Sequence, residues 1–191
     1  TMVAIGTDIY IYGGYNSGGY LVEFYKIDTL ADSVIKIDPD GDSINSVYKH
    51  SMVAIGKDIY IYGGYNSSGP LNDFYKIDTT NNTATQITLS SSGTTITGRY
   101  AHSMVAIGKD IYIYGGSGYL NDFYKIDITN NTVTQITLSS GGTAISGSRD
   151  HTMVAIGTDI YIYGGYNNSG VLNDFYKIDT NTINLSTNSV N

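Results

Sequence analysis

The stretch Met52-Val53-Ala54-Ile55-Gly56-Lys57-Asp58-Ile59-Tyr60-Ile61-Tyr62-Gly63-Gly64 decides the fold. Its first part is a short apolar run with small residues interleaved. Gly56-Lys57-Asp58 then offers residues that tolerate the positive φ of a tight hairpin turn. Asp58 to Tyr62 alternates β-branched and aromatic residues, with Ile on one face and Tyr on the other. Both faces are apolar, which suits a strand in a sheet covered on both sides. The double glycine closes the strand where missing side chains permit close backbone approach.

Working outward, the same segment begins at Met2, Met104 and Met153, at spacings of 50, 52 and 49 residues. The double glycine recurs at Gly13-Gly14, Gly115-Gly116 and Gly164-Gly165. Downstream, Asp73-Phe74-Tyr75-Lys76-Ile77-Asp78 is matched by Glu23 to Asp28, Asp122 to Asp127 and Asp174 to Asp179. Phe74 to Ile77 is read as a third strand and Thr85 to Leu89 as a fourth, with Asn81-Asn82-Thr83 as the turn between them. No copy carries a capped helical period. The chain is therefore four copies of a four-stranded unit, at about 1–48, 49–100, 101–149 and 150–191. Such a unit cannot bury its two apolar faces alone and must stack on its neighbours. Radial stacking of four-stranded sheets makes a β-propeller.

Composition agrees. Hydrophobic residues make up 41% of the 191 and charged residues 14%, against about 25% charged in an average soluble domain. That balance opposes disorder. The absence of cysteine excludes disulfides, zinc–thiolate sites and cysteine nucleophiles. A net charge of −7 argues against a sequence-independent grip on nucleic acid or anionic lipid. No apolar run reaches the roughly 20 residues of a bilayer-crossing helix.

The chain resembles the kelch-repeat family over almost its whole length. The marks are four double glycines in register after an Ile/Tyr strand, and an Asn-Asp pair before the third strand (Asn72-Asp73, Asn121-Asp122, Asn173-Asp174). A further mark is the Arg-x-x-His approach from Arg99 to His102, with Arg149 one residue nearer its His151. The resemblance implies an all-β fold, a β-propeller of kelch-like four-stranded blades. The sequence departs from the family where a fourth-strand Trp is usual. Val34, Ala84, Val133 and Ile183 are read as occupying that position. Four copies fit a complete four-bladed ring, part of a larger propeller or longer polypeptide, or a ring completed by separate chains. The abrupt start at Thr1 favours the second.

Chemistry is expected on loops at the ends of the channel. One set follows the double glycines and supplies Tyr15, Asn16, Tyr20, Tyr65, Asn66, Tyr119, Tyr166 and Asn167. The inter-blade loops, Asp38 to Lys49, Ser90 to Tyr100 and Ser139 to Asp150, supply Arg99, Tyr100 and Arg149. Tyr gives large amphipathic contacts at low entropic cost, and Asn and Ser give adaptable hydrogen bonds. His50, His102 and His151 sit at equivalent positions and are read as structural, bonding a neighbouring blade's backbone. Asp38-Pro39-Asp40-Gly41-Asp42 lacks the glycine position and the Glu of a calcium loop and is read as an acidic turn. Lys26, Lys76, Lys125 and Lys177, repeated four times, are read as solvated or edge-pairing charges.

No nucleophile-elbow context, phosphate loop or isolated carboxylate pair is present, and no metal or cofactor is expected. Some kelch-like propellers are oxidases with Tyr, His and Cys around copper, chemistry that a chain without Cys does not support. The favoured expectation is a non-enzymatic interaction or structural module presenting its loops to a protein partner. The alternatives are an extracellular carbohydrate-binding propeller and the scaffold of a hydrolase or lyase. Neither nucleic-acid binding nor membrane insertion is expected, and self-assembly stays open. So does the choice between cytoplasm and cell exterior, where the acceptors Asn66, Asn81, Asn130, Asn167 and Asn184 would become relevant.

Overall fold

The structure, a computed structural model, describes residues 1–91, 95–140 and 144–188. Residues 92–94 and 141–143 of two inter-blade loops, and 189–191 of the fourth copy, lie outside the described residues. The chain divides into two compact units: Thr1–Thr88 with Thr97–Tyr100, and Leu89–Ile96 with Ala101–Asn191. Every described element is a strand or a turn.

The first unit holds two sheets. The first is β1 (Met2–Ile5), β2 (Asp8–Asn16), β3 (Gly19–Asp28) and β4 (Ser33–Ile37), in that order and antiparallel. After β5 (Asp40–Gly41) come β6 (Ser51–Ile55), β7 (Asp58–Tyr62), the small hairpin β8 (Tyr65–Asn66) and β9 (Gly69–Pro70), then β10 (Phe74–Asp78) and β11 (Thr83–Gln86). The second sheet has the order β5-β11-β10-β7-β6.

The second unit repeats this plan. Its strands are β12 (Ser90–Ser91), β13 (Ser103–Ile107), β14 (Asp110–Tyr114), β15 (Phe123–Asp127), β16 (Thr132–Ile136), β17 (Ser139–Ser140), β18 (Thr152–Ile156) and β19 (Asp159–Tyr163). The hairpin β20 (Tyr166–Asn167) and β21 (Gly170–Val171) follows, then β22 (Phe175–Asp179) and β23 (Asn184–Asn188). The sheets are β12-β16-β15-β14-β13 and β17-β23-β22-β19-β18.

Alternation along the second strand of each blade builds the core. Ile59, Tyr60, Ile61 and Tyr62 are all buried, and so are Ile111 to Tyr114. One Tyr per blade stacks on the Phe of the adjoining third strand: Tyr10 on Phe24 at 5.9 Å, Tyr60 on Phe74 and Tyr112 on Phe123 at 5.7 Å, and Tyr161 on Phe175 at 5.9 Å. The next Tyr, two residues on, sends its phenol to the following linker: Tyr12 to Asn45 O (2.8 Å), Tyr62 to Thr97 O (3.1 Å) and Tyr114 to Ser146 O (2.7 Å).

The repeated lysines pair across the second and third strands of each blade. Lys26, Lys76, Lys125 and Lys177 meet Asp8, Asp58, Asp110 and Asp159 at 2.7, 2.8, 2.7 and 2.8 Å. The aspartates ending the third strands shape the next turn. Asp28 Oδ1 accepts from the amides of Leu30 and Ala31, and Asp78 Oδ1 from those of Thr80 and Asn81.

The structure corrects several expectations. In the first blade, β2 continues past the glycines to Asn16, with a register shift between Tyr12 and Gly14. The fourth strand of the second copy starts at Thr83, earlier than expected, so Thr83 is not in the turn. The register pairs Ile27 with Val34, Ile77 with Ala84, Ile126 with Val133 and Ile178 with Leu185. Leu185, not Ile183, therefore holds the fourth-strand position, because in every blade that residue lies seven positions after its third-strand partner. Ile183 takes the turn position of Asp32, Asn82 and Asn131, all at φ near +50°.

The acidic turn is a strand. Asp40–Gly41 runs parallel to Thr83–Ala84, with Asp40 N and Asp42 N donating to the carbonyls of Asn82 (2.9 Å) and Ala84 (3.0 Å). A side chain at Gly41 would strike the Ala84 carbonyl, so a glycine is required there. Ser90–Ser91 and Ser139–Ser140 add to β16 and β23 in the same way. Each linker thus lays a fifth, parallel strand on the sheet it leads into.

Candidate functional site

The loops are held by a repeated backbone stitch. The second glycine's amide donates to a linker carbonyl: Gly14 to Val47 O (2.8 Å), Gly64 to Arg99 O (2.8 Å) and Gly116 to Ser148 O (2.9 Å). The same linker residues donate back to Leu21, Leu71 and Leu120 carbonyls at 3.2, 2.9 and 3.3 Å. Val47, Arg99 and Ser148 are therefore equivalent, and Arg149 is the counterpart of Tyr48 and Tyr100 rather than of Arg99. Arg99 is fully enclosed at 0% exposure, with its guanidinium on the carbonyl and hydroxyl of Thr97 at 3.2 Å each. It belongs to the interior, apart from the loop tyrosines.

The histidines are wedges. His50 Cε1 lies where a side chain on Gly13 would sit, and His50 Cβ where one on Gly64 would sit. His151 stands in the same relation to Gly115 and Gly165. Each of these histidines is therefore crowded by two glycine pairs, the first glycine of one and the second glycine of the next. The rings pack edge-on against Tyr12 (5.6 Å) and Tyr114 (5.0 Å). Neither ring nitrogen of His50 has a hydrogen-bond partner, contrary to the backbone bond expected for it. Burial, then the chain's amino group, pushes the His50 pKa down to about 3; burial brings His151 down to about 4. Among the described residues, no group of three His, Asp or Glu side chains is placed to hold a metal.

In the first unit, the loop tyrosines form one continuous aromatic patch. Tyr15 and Tyr20 cap the β2–β3 hairpin with ring centres 5.3 Å apart. Tyr48 lies 5.8 Å from Tyr15 and 6.0 Å from Tyr20. Tyr65 joins at 6.3 Å from Tyr20 and 6.1 Å from Tyr48, and Tyr100 follows at 5.1 Å from Tyr65. Interplanar angles of 45° to 88° mean the rings meet tilted or edge to face and prop one another. Tyr15 is 63% exposed. Burial and the phenols of Tyr65, Tyr15 and Tyr48 push the Tyr20 pKa up.

The second unit has a smaller cluster. The Arg149 guanidinium carbon sits 5.4 Å from the Tyr119 ring centre and 5.6 Å from that of Tyr166, and the two rings are 6.0 Å apart. Asn16, Asn66 and Asn167 shape turns. Their Oδ1 atoms accept from the amides of Gly18 (2.7 Å), Ser68 (2.8 Å) and Ser169 (2.8 Å). Sequence reasoning missed Tyr48, which counting back two residues from His50 would have aligned with Tyr100.

Repeated four-stranded blades, joined by linkers that carry buried histidines and half-buried tyrosines, define a repeat protein of the β-propeller class. The KLHDC2/KLHL20/DRC7 Kelch-repeats domain model matches residues 1–94 and 87–191, and the chain belongs to the kelch-repeat family. No curated protein matches the chain.

Proposed function

We propose that this chain is a non-enzymatic interaction module that presents the tyrosine patch of its first unit to a protein partner. The kelch family's common use in protein–protein interaction supports this reading. The observation that carries it is the run Tyr15-Tyr20-Tyr48-Tyr65-Tyr100, linked ring to ring across two blades. Tyrosines at that density offer amphipathic contact area with little entropy to lose. The rings lean edge to face, so they do not offer the flat open platform on which a sugar ring stacks. That favours a protein surface over the carbohydrate alternative.

The test is selection of binding domains from a display library against the intact chain, beside a glycan array. The expected result is protein binders whose affinity falls at least tenfold when Tyr15 and Tyr20 are both changed to Ser. Binders indifferent to that pair, or binding confined to glycans, would overturn the reading.

A further inference from the structure

The chain has 19 tyrosines and no cysteine, so oxidation can cross-link its side chains through phenols but not through disulfides. A phenol that loses one electron and its proton becomes a phenoxyl radical, with spin on the ring carbons ortho to oxygen. Two such rings held side by side join at those carbons. The stacked pairs of the core have only one phenol each, since Tyr10, Tyr60, Tyr112 and Tyr161 all lie on a Phe. Among the loops, Tyr meets Tyr. Tyr65 and Tyr100 have ring centres 5.1 Å apart, and Tyr15 and Tyr20 5.3 Å, all four at least partly open to solvent. Tyr48 links the two pairs, 6.0 Å from Tyr20 and 6.1 Å from Tyr65. A radical formed on any of these rings therefore has a phenol beside it.

The second unit supplies the contrast. Tyr20 and Tyr119 each precede the leucine whose carbonyl takes a linker amide. Tyr48 and Arg149 form the same isolated bridge, to Tyr65 and to Tyr166. The trio Tyr20-Tyr48-Tyr65 thus recurs as Tyr119-Arg149-Tyr166, with a guanidinium where the first unit has a third ring. That cation lies 5.4 and 5.6 Å from the two ring centres. A cation over a ring face is held by the π electrons, and it makes them harder to remove.

We propose that the first unit's tyrosine patch is a site of oxidative coupling, with Tyr65 and Tyr100 as the principal pair and Tyr15 and Tyr20 as the second. Arg149 withholds the equivalent cluster of the second unit from the same reaction. The co-reactant is a one-electron oxidant acting twice, of the class of peroxide-driven haem enzymes. Each phenol gives up one electron and its O–H proton. One carbon–carbon bond forms between the ortho carbons, and the hydrogens on those carbons move to the phenolic oxygens as the rings regain aromaticity. Each link therefore releases two electrons and two protons, which convert one peroxide into two waters. Holding the rings in place makes the coupling intramolecular. The product is a biphenol that ties the β8–β9 hairpin to the linker at Tyr100, a covalent staple in a chain that has no disulfide.

The probe is a ruthenium tris-bipyridyl photo-oxidant with persulfate, applied to dilute full chain in buffer and in concentrated urea. Dityrosine fluorescence gives the yield, the intact mass of the monomer shows two hydrogens lost per link, and peptide mapping locates each link. In the folded monomer, the Tyr65–Tyr100 linked peptide should form at least tenfold more than in the unfolded chain. It should also exceed the Tyr119–Tyr166 linked peptide at least tenfold. Arg149→Leu should raise the Tyr119–Tyr166 yield severalfold. The comparison with urea needs no variant, so it stands even if Arg149→Leu does not fold. The same links in the same proportions with and without urea, or coupling only between chains, would overturn the proposal. So would equal yields from the two clusters, or a folded Arg149→Leu chain whose second cluster stays unlinked.

Discussion

Position by position, the double glycine is a steric fitting between blades. Gly64 has φ +100°, and a side chain there would overlap Val47 Cγ2 and come within 2.9 Å of His50 Cβ. Gly6 has φ +60° with nothing within 4 Å. The same substitution should therefore cost different amounts. Gly64→Ala combines backbone strain with overpacking and should lose on the order of 3 kcal/mol or more. Gly6→Ala meets only the left-handed penalty and should lose about 1 kcal/mol. Urea unfolding of both variants checks this, and equal losses would refute the steric account. Ile183 is the reverse case, a β-branched residue at φ +55° where the other copies have Asp or Asn. Ile183→Asn should raise stability by about 1 kcal/mol, and an unchanged melt would show that the turn relaxes around Ile. The glycines were legible in the sequence because they recur in register. The histidine that each pair accommodates was not, because it lies far along the chain or belongs to the next blade.

Among elements, the alternating strand carries most of the architecture. Ile61 is 2% exposed and sits in the first unit's core with Ile59 and Ile77. Ile61→Asp buries an unpaired carboxylate at a cost of several kcal/mol. It should abolish the cooperative melt seen by circular dichroism; a melt near the parent's temperature would mean the site tolerates charge. Period-two patterning identified this strand and its partners at once, because Ile and Tyr alternate without a break. The fifth strands were opaque. Asp-Gly and Ser-Ser have no strand propensity and read as turn residues. They become strands because an edge a whole blade further along the chain offers carbonyls to their amides, and no local pattern records that pairing. The tyrosine patch lies between these cases. Tyr15, Tyr20, Tyr65 and Tyr100 stand out by composition, but their contiguity with Tyr48 depends on the stitch at Val47.

Across the whole molecule, the wedge histidines make stability depend on acid. His50 in the first unit and His151 in the second are buried neutral imidazoles whose folded pKa lies well below the unfolded value of about 6.5, at about 3 and about 4. Below pH 6.5 the unfolded chain binds protons that the folded chain refuses. Stability is therefore present in full at neutral pH and falls as the pH drops towards those folded values. Between pH 7 and pH 5 the loss should be about 2 kcal/mol for each histidine. The aspartates at the strand ends act in a lower window. Asp28, Asp78 and Asp179, held below the usual carboxylate range by turn amides, and Asp127, held there by Asn130 and the Thr129 amide, keep their contribution above about pH 4. Urea midpoints at pH 7, 6 and 5 should therefore decline in the parent. The decline should be shallower in His50→Asn or His151→Asn, and shallower still in the double variant. Equal slopes in parent and variants would show that the imidazoles become protonated inside the fold without penalty, and that the wedge is not closed to water.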